Sequence, residues 1–158
     1  MLPDLIQQPL ARFAATRTGA RVYRAVLPRL DRATKRLTGG THTFTEFVLP
    51  TLVLVSTGRR SGMERRQPLI HQPVDTGWAV VGSNWGQAQH PAWTHNLLAE
   101  PTARVEIDGE EVPVTARLTQ GEERETLYAM FERLSPNYRE YRDWSGDREI
   151  RVFVLERR

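Results

Sequence analysis

ARVEIDGEEVPVTARL, residues 103–118, is the stretch whose pattern decides the fold. Ala103, Val105 and Ile107 alternate with Arg104, Glu106 and Asp108, and Val112, Val114, Ala116 and Leu118 resume the apolar series after Asp108-Gly109. Period-two alternation on both sides of an Asp-Gly pair predicts an antiparallel hairpin with one face on a core and the other in water. Upstream, the apolar and β-branched run 47–55 reads as a strand, and 66–74 with 78–82 flanks a turn at Asp75-Thr76-Gly77, which predicts a second hairpin. A last strand is expected over 150–155.

Helices fit between these strands. Pro91 opens a short one that Pro101 ends, and Thr119 with Glu122 reads as a capping box for another that buries Leu127, Met130, Phe131 and Leu134. The regular strand-helix alternation of a parallel sheet is missing, so the expected class is α+β, mainly β: a small β-barrel with two or three short helices.

The chain has 158 residues, about one domain, enough to close a core without disulfides or a structural metal. It has no cysteine, which excludes thiol nucleophiles and thiolate metal sites and makes a reduced, cytoplasmic setting the expectation. No run approaches 18 apolar residues, so neither a spanning helix nor a signal peptide is expected.

The net charge of +3 hides an asymmetry: residues 1–40 carry +6 and residues 41–158 carry −3. Val22, Tyr23, Val26, Leu27, Leu30, Ala33 and Leu37 recur at helical spacing between Arg21, Arg24, Arg29, Arg32, Lys35 and Arg36. Residues 1–40 therefore read as a basic amphipathic segment, kinked at Pro28, ahead of a β-domain over 41–158. Packing on the body and adsorption of residues 1–38 to an anionic membrane surface are both open, the latter as a peripheral site at the inner face of the cell membrane. No nucleic acid is expected, because no base-reading motif accompanies the charge.

Three clusters could carry chemistry. Ser56-Thr57-Gly58-Arg59-Arg60-Ser61-Gly62, followed by Arg65 and Arg66, puts four arginines within eight residues beside two glycines and several hydroxyls. Guanidinium forks and backbone N–H groups suit phosphate or carboxylate, while a solvated basic turn is the plainer alternative. Gly82-Ser83-Asn84-Trp85-Gly86, then His90-Pro91-Ala92-Trp93-Thr94-His95-Asn96-Leu97, offers hydrogen bonds and flat walls to a planar ring, or helix-to-core contacts. Tyr138, Tyr141 and Trp144 share a helical face, in a core or in a pocket. His42, His71, His90 and His95 show no metal-ligand spacing, so no metal is expected, and no nucleophile elbow marks a hydrolase.

In this order the clusters resemble the deazaflavin (F420)-dependent nitroreductase and quinone reductase family, flavin-reductase-like proteins with a split β-barrel of the FMN-binding type. The resemblance rests on Gly39-Gly40-Thr41, Thr57 to Gly62 with Arg65 and Pro68-Leu69, Pro91-x-Trp93-x-x-Asn96-Leu97 with Pro101, and Tyr138-x-x-Tyr141-x-x-Trp144, over roughly residues 39–156. It implies an oxidoreductase that transfers a hydride from reduced coenzyme F420, whose phosphodiester and oligoglutamate tail are anionic, to a quinone-like or other electron-poor acceptor. By position, Arg60 and Arg65 would meet phosphate and the start of the tail, with Ser61 and Gly62 giving main-chain contacts. Pro68, Ser83, Asn84, Gly86 and Asn96 would line the ring and ribityl region, with Trp93 behind them. Ser135, Tyr138 and Tyr141 would lie on the acceptor side, the tyrosines as walls or proton donors. Ser135 stands where family members that activate nitro compounds carry tyrosine, a departure that counts against nitro reduction. An FMN-dependent reductase or oxidase on the same fold, or a noncatalytic cofactor- or lipid-binding module, is the alternative, and the state is monomer or homodimer.

Overall fold

The computed structural model describes residues 49–158 together with Val22 and Val26. The basic segment expected over 1–40 thus lies outside the described residues except for those two valines, which are helical and exposed. The described chain runs β1 (Thr51–Thr57), β2 (Glu64–Val74), β3 (Gly77–Val81), a single 3-10 turn (Asn84–Gly86), α1 (Ala92–Ala99), β4 (Thr102–Ile107), β5 (Glu110–Leu118), α2 (Gly121–Leu134), α3 (Asn137–Trp144) and β6 (Val152–Arg157).

All six strands pair antiparallel and close in the order β1-β2-β3-β6-β5-β4. The decisive hairpin forms as its pattern requires. Ile107 pairs with Glu110 across Asp108-Gly109, and positive φ at both residues (51° and 81°) matches the turn whose twist suits a two-residue hairpin loop. Ala103, Val105, Val114 and Ala116 are buried, while Arg104 on the opposite face bridges Glu64 at 2.7 Å and Glu111 at 2.9 Å. The second expected hairpin is β2-β3, in which Val74 pairs with Gly77.

Two cores divide the apolar side chains. Inside the barrel lie Leu52, Leu54, Trp78, Val80, Val105, Val114, Phe153 and Leu155, with Trp93 and Leu97 of α1 entering from one end. Outside it, α2 and α3 cover β3 and β6, burying Ala79, Val81, Val152 and Val154 against Leu127, Tyr128, Phe131, Tyr138 and Tyr141. Strand β3 is consequently buried on both faces, and the chain leaves its end between the two cores.

Several boundaries differ from expectation. The capping box at Thr119 and Glu122 does not form: α2 begins at Gly121 after Gln120, which makes no side-chain cap, and the Thr119 hydroxyl donates to the Val152 carbonyl at 2.9 Å. A tertiary acceptor on β6 has captured the hydroxyl that local pattern assigned to the helix. Strand β1 runs on to Thr57, and β6 is shifted to Val152–Arg157 because Ile150 is drawn into the outer core beneath α2. Met130 and Leu134 are only partly buried, and Tyr128 fills the place expected of them.

Candidate functional site

The arginine cluster occupies the β1-β2 connection. Gly58 N–H donates to the Met63 carbonyl at 2.8 Å, and the Gly58 carbonyl accepts from Ser61 at 3.1 Å and Gly62 at 2.7 Å. Gly62 takes φ 65°, which favours glycine, and a β-carbon on Gly58 would crowd the Ser61 hydroxyl at 2.8 Å and the Met63 carbonyl at 3.1 Å. The Ser61 hydroxyl accepts from Met63 N–H and from the Arg65 guanidinium, each at 3.3 Å. From 37 residues away, the Asn96 side-chain carbonyl accepts the Arg59 N–H at 3.1 Å, tying the loop to α1.

On the other side of α1 lies the segment after β3. Asn84, Trp85 and Gly86 adopt φ of 49°, 56° and 69°, three consecutive left-handed residues of which only one is glycine. Such backbone is strained and persists only when its surroundings over-determine it. The surroundings here are α3 and Arg148. Gly86 sits so close to α3 that a β-carbon would be 2.9 Å from Trp144 Cβ and 3.1 Å from Tyr141 Cα. Trp85 meets Tyr141 edge-on, centroids 6.0 Å apart. The Arg148 guanidinium donates to the Ser83, Gln87 and Gly82 carbonyls at 2.7, 2.9 and 3.1 Å. A β-carbon on Gly82 would be 2.7 Å from Thr94 Cγ2, so this loop also rests on α1.

The structure thus gathers the expected residues into two groups bridged by α1. Arg60, Ser61, Gly62 and Arg65 lie with Asn96 on one side; Ser83, Asn84 and Gly86 lie with Tyr138 and Tyr141 on the other. Pro68 is exposed on β2, opposite Val53. Trp93 points into the barrel, its ring 5.7 Å from that of Phe153, which makes it the anchor of α1. Ser135 closes α2, with its N–H on the Phe131 carbonyl at 2.9 Å and its own carbonyl taking the Tyr138 N–H at 3.2 Å.

Tyr138 is enclosed by Phe131, Tyr141 and Tyr128 at 5.3, 5.7 and 6.1 Å, and the Tyr128 hydroxyl donates to its backbone carbonyl at 2.6 Å. Burial pushes the Tyr138 phenol far above the ordinary range and that of Tyr128 up to about 12. Both stay protonated at any ordinary pH, so their hydroxyls act as donors.

Sequence reading put Trp85, His90 and His95 in the second cluster without pairing Trp85 with Tyr141 or the two histidines with each other, and it missed Arg148 and Arg151. His90 and His95 meet edge-on at 5.8 Å. Arg148 reaches His90 Nδ1 at 3.5 Å, while Arg151 reaches His95 Nδ1 at 3.4 Å and Thr94 Oγ1 at 3.2 Å. Burial, then Arg151, Arg148 and His95, push His90 from 6.5 down to about 4; burial, then Arg151, Arg59 and Arg60, lower His95 as well. The one local signal was arginine density near residues 148–151, without any hint that it faces α1.

Among the described residues, guanidiniums at the loop have no carboxylate to meet. Arg66, Arg104, Arg117, Arg124, Arg139 and Arg142 form ion pairs with glutamates, whereas Arg59, Arg60 and Arg65 form none among the described residues. Three unmatched cations on a tight loop beside an amide side chain suit an elongated, multiply charged anion.

The chain matches the model of the F420H(2)-dependent quinone reductase family over residues 27–157. The F420H(2)-dependent quinone reductase Rv1261c of Mycobacterium tuberculosis is 29% identical over 112 residues, which cover 69% of this chain and 74% of that one. A solved F420-H2 dependent reductase, FDR-A, is 36% identical with a TM-score of 0.62, covering 68% of this chain and 94% of its own. Another solved structure, a domain-swapped dimer, is 34% identical with a TM-score of 0.64, covering 79% of this chain and 95% of its own.

The histidine pair makes a pH prediction. His90 titrates near 6.5 when unfolded and about 4 when folded, so between those values the unfolded chain holds the extra proton. Its contribution to stability is complete above pH 6.5 and is lost as pH falls toward 4. In His90→Gln, the drop in urea midpoint between about pH 7 and about pH 4.5 is expected to be smaller than in the parent. An unchanged drop would place the acid sensitivity elsewhere.

Proposed function

Since the chain belongs to the F420H(2)-dependent quinone reductase family, it is an F420H2-dependent oxidoreductase with F420 as cofactor, and we propose that it passes the hydride to a quinone-like acceptor beside α3. The observation that carries the residue assignment is the unmatched guanidinium loop held to α1 by Asn96. Arg60 and Arg65 take the phosphate and the start of the acidic tail, with Ser61 and Gly62 N–H groups beside them. Asn96, Pro68, Ser83, Asn84 and Gly86 line the path from that loop to α3.

When bound, reduced F420 supplies the hydride, so the protein needs no nucleophile of its own. Its residues bind, orient and exclude water. Asn96 fixes the loop, and Trp93 holds Asn96 at its height by anchoring α1 in the barrel. The left-handed turn at Asn84 to Gly86 keeps Trp85 against Tyr141, which sets the rear wall of the acceptor side. Both rings are buried among aromatics; Tyr141 donates the proton that completes reduction of the acceptor oxygen, while Tyr138, whose phenol burial pushes far above the ordinary range, acts as packing. Ser135 in place of a further phenol leaves that task to fewer groups. The relative solved as a domain-swapped dimer favours the homodimer over the monomer.

Two measurements test this assignment. Arg60→Ala and Arg65→Ala are expected to raise the Kd for F420 by about one to two decades while changing the single-turnover rate at saturation little, because the loop is remote from the reacting ring. Wild-type affinity in both would return the loop to a solvated turn. In stopped-flow mixing of reduced F420 with a menaquinone analogue, Tyr141→Phe is expected to lose about 10²–10⁴-fold in rate and Tyr138→Phe almost nothing. Equal, full rates in both would remove tyrosine from proton transfer.

A further inference from the structure

The unmatched cations do not stop at the loop. Arg148 and Arg151 also lack a carboxylate partner among the described residues, and they lie across α1 from Arg59 and Arg60. Between them stands His95, on the helix face opposite the buried Trp93 and Leu97. Arg151 lies 3.4 Å from His95 Nδ1, His90 meets the His95 ring at 5.8 Å, and Arg148 lies 3.5 Å from His90 Nδ1. A guanidinium only donates, so each Nδ1 is the acceptor and each Nε2 carries the hydrogen. The outer face of α1 is therefore crossed by a strip of hydrogen-bond donors, two neutral imidazoles beside the Arg151 guanidinium. It ends in a groove of about 560 Å³ lined by His90, Arg151, Thr119, Gln120, Gly121 and Glu149. Glu149 is 3.5 Å from Arg124, so the carboxylate in this groove already has a cation of its own.

Resting on the F420 reading above, we infer that this strip, His95, Arg151 and His90, is a second anion subsite that takes the outer carboxylates of the coenzyme's oligoglutamate tail. The spacing selects this occupant. A single phosphate is compact and is best held by converging donors such as the Gly58 to Gly62 loop. The strip instead presents donors in succession along one helix face, which suits carboxylates strung along a chain. Arg66, Arg104 and Arg117 on the barrel strands pair with glutamates, whereas Arg151, set between two imidazole donors, is left for a ligand to neutralise.

The test is the Kd of the purified full chain for F420 carrying several glutamates and for F420 lacking them, at low salt. The wild-type protein is expected to bind the tailed form roughly tenfold more tightly, with the gap closing as salt is added. His95→Ala and Arg151→Gln should each reduce the gap to within about twofold and leave the Kd of the tailless form unchanged, which also verifies that the variants fold. A wild-type protein without a gap, or variants that keep it, would overturn the subsite. Failure of either form to bind would instead overturn the coenzyme assignment.

Discussion

Burial of Trp93 and Leu97 in the end of the barrel fixes the position of α1, and both halves of the site are hung from that helix. Its inner face enters the core beside Phe153, which leaves Asn96 on one flank and Thr94 on the other. Asn96 holds the arginine loop, and Thr94 packs on Gly82 at the root of the left-handed turn. A shift of α1 by even an ångström would separate the two groups, because neither touches the other directly in the contacts described. The barrel is in this sense a fixture that sets the height of one short helix.

Charge distribution expresses function where packing does not. Exposed strand pairs such as Arg117 with Glu123 and Glu156 are individually worth little. What matters is the contrast they make with Arg59, Arg60, Arg65, Arg148 and Arg151, which surround α1 and form no ion pair among the described residues. Like charges gathered along one surface raise the energy of the empty protein, and they add to burial, the larger cause, in lowering His90 and His95. An anion laid along that surface removes the repulsion, so part of the binding energy is stored in the unliganded fold. The strained backbone at Asn84 and Trp85 has the same character, held in place by Arg148 and α3.

Those parts of the molecule encoded by local pattern were legible in the sequence. The 103–118 hairpin follows from period-two alternation and Asp-Gly, and the tight β1-β2 turn from a run of glycine, hydroxyl and arginine. What escaped depends on partners far along the chain. Thr119 looks like a helix cap until the Val152 carbonyl is brought beside it. Arg148 and Arg151 look like surface charge until the fold places them against segments some 60 residues earlier. Trp85 carries no mark of its left-handed φ, because strain is a property of what surrounds a residue. Trp93 and Tyr138 were visible as aromatics, but their enclosure by Phe153 and Phe131 belongs to tertiary packing.

The account turns on the chain having been built around a long, anionic deazaflavin. The most direct measurement is an equilibrium titration of the purified protein with F420 and, in parallel, with FMN, repeated at rising salt. Tight binding of F420 that weakens with salt, together with far weaker binding of FMN, is the predicted result. Equal or tighter binding of FMN, or an F420 affinity indifferent to salt, would contradict it.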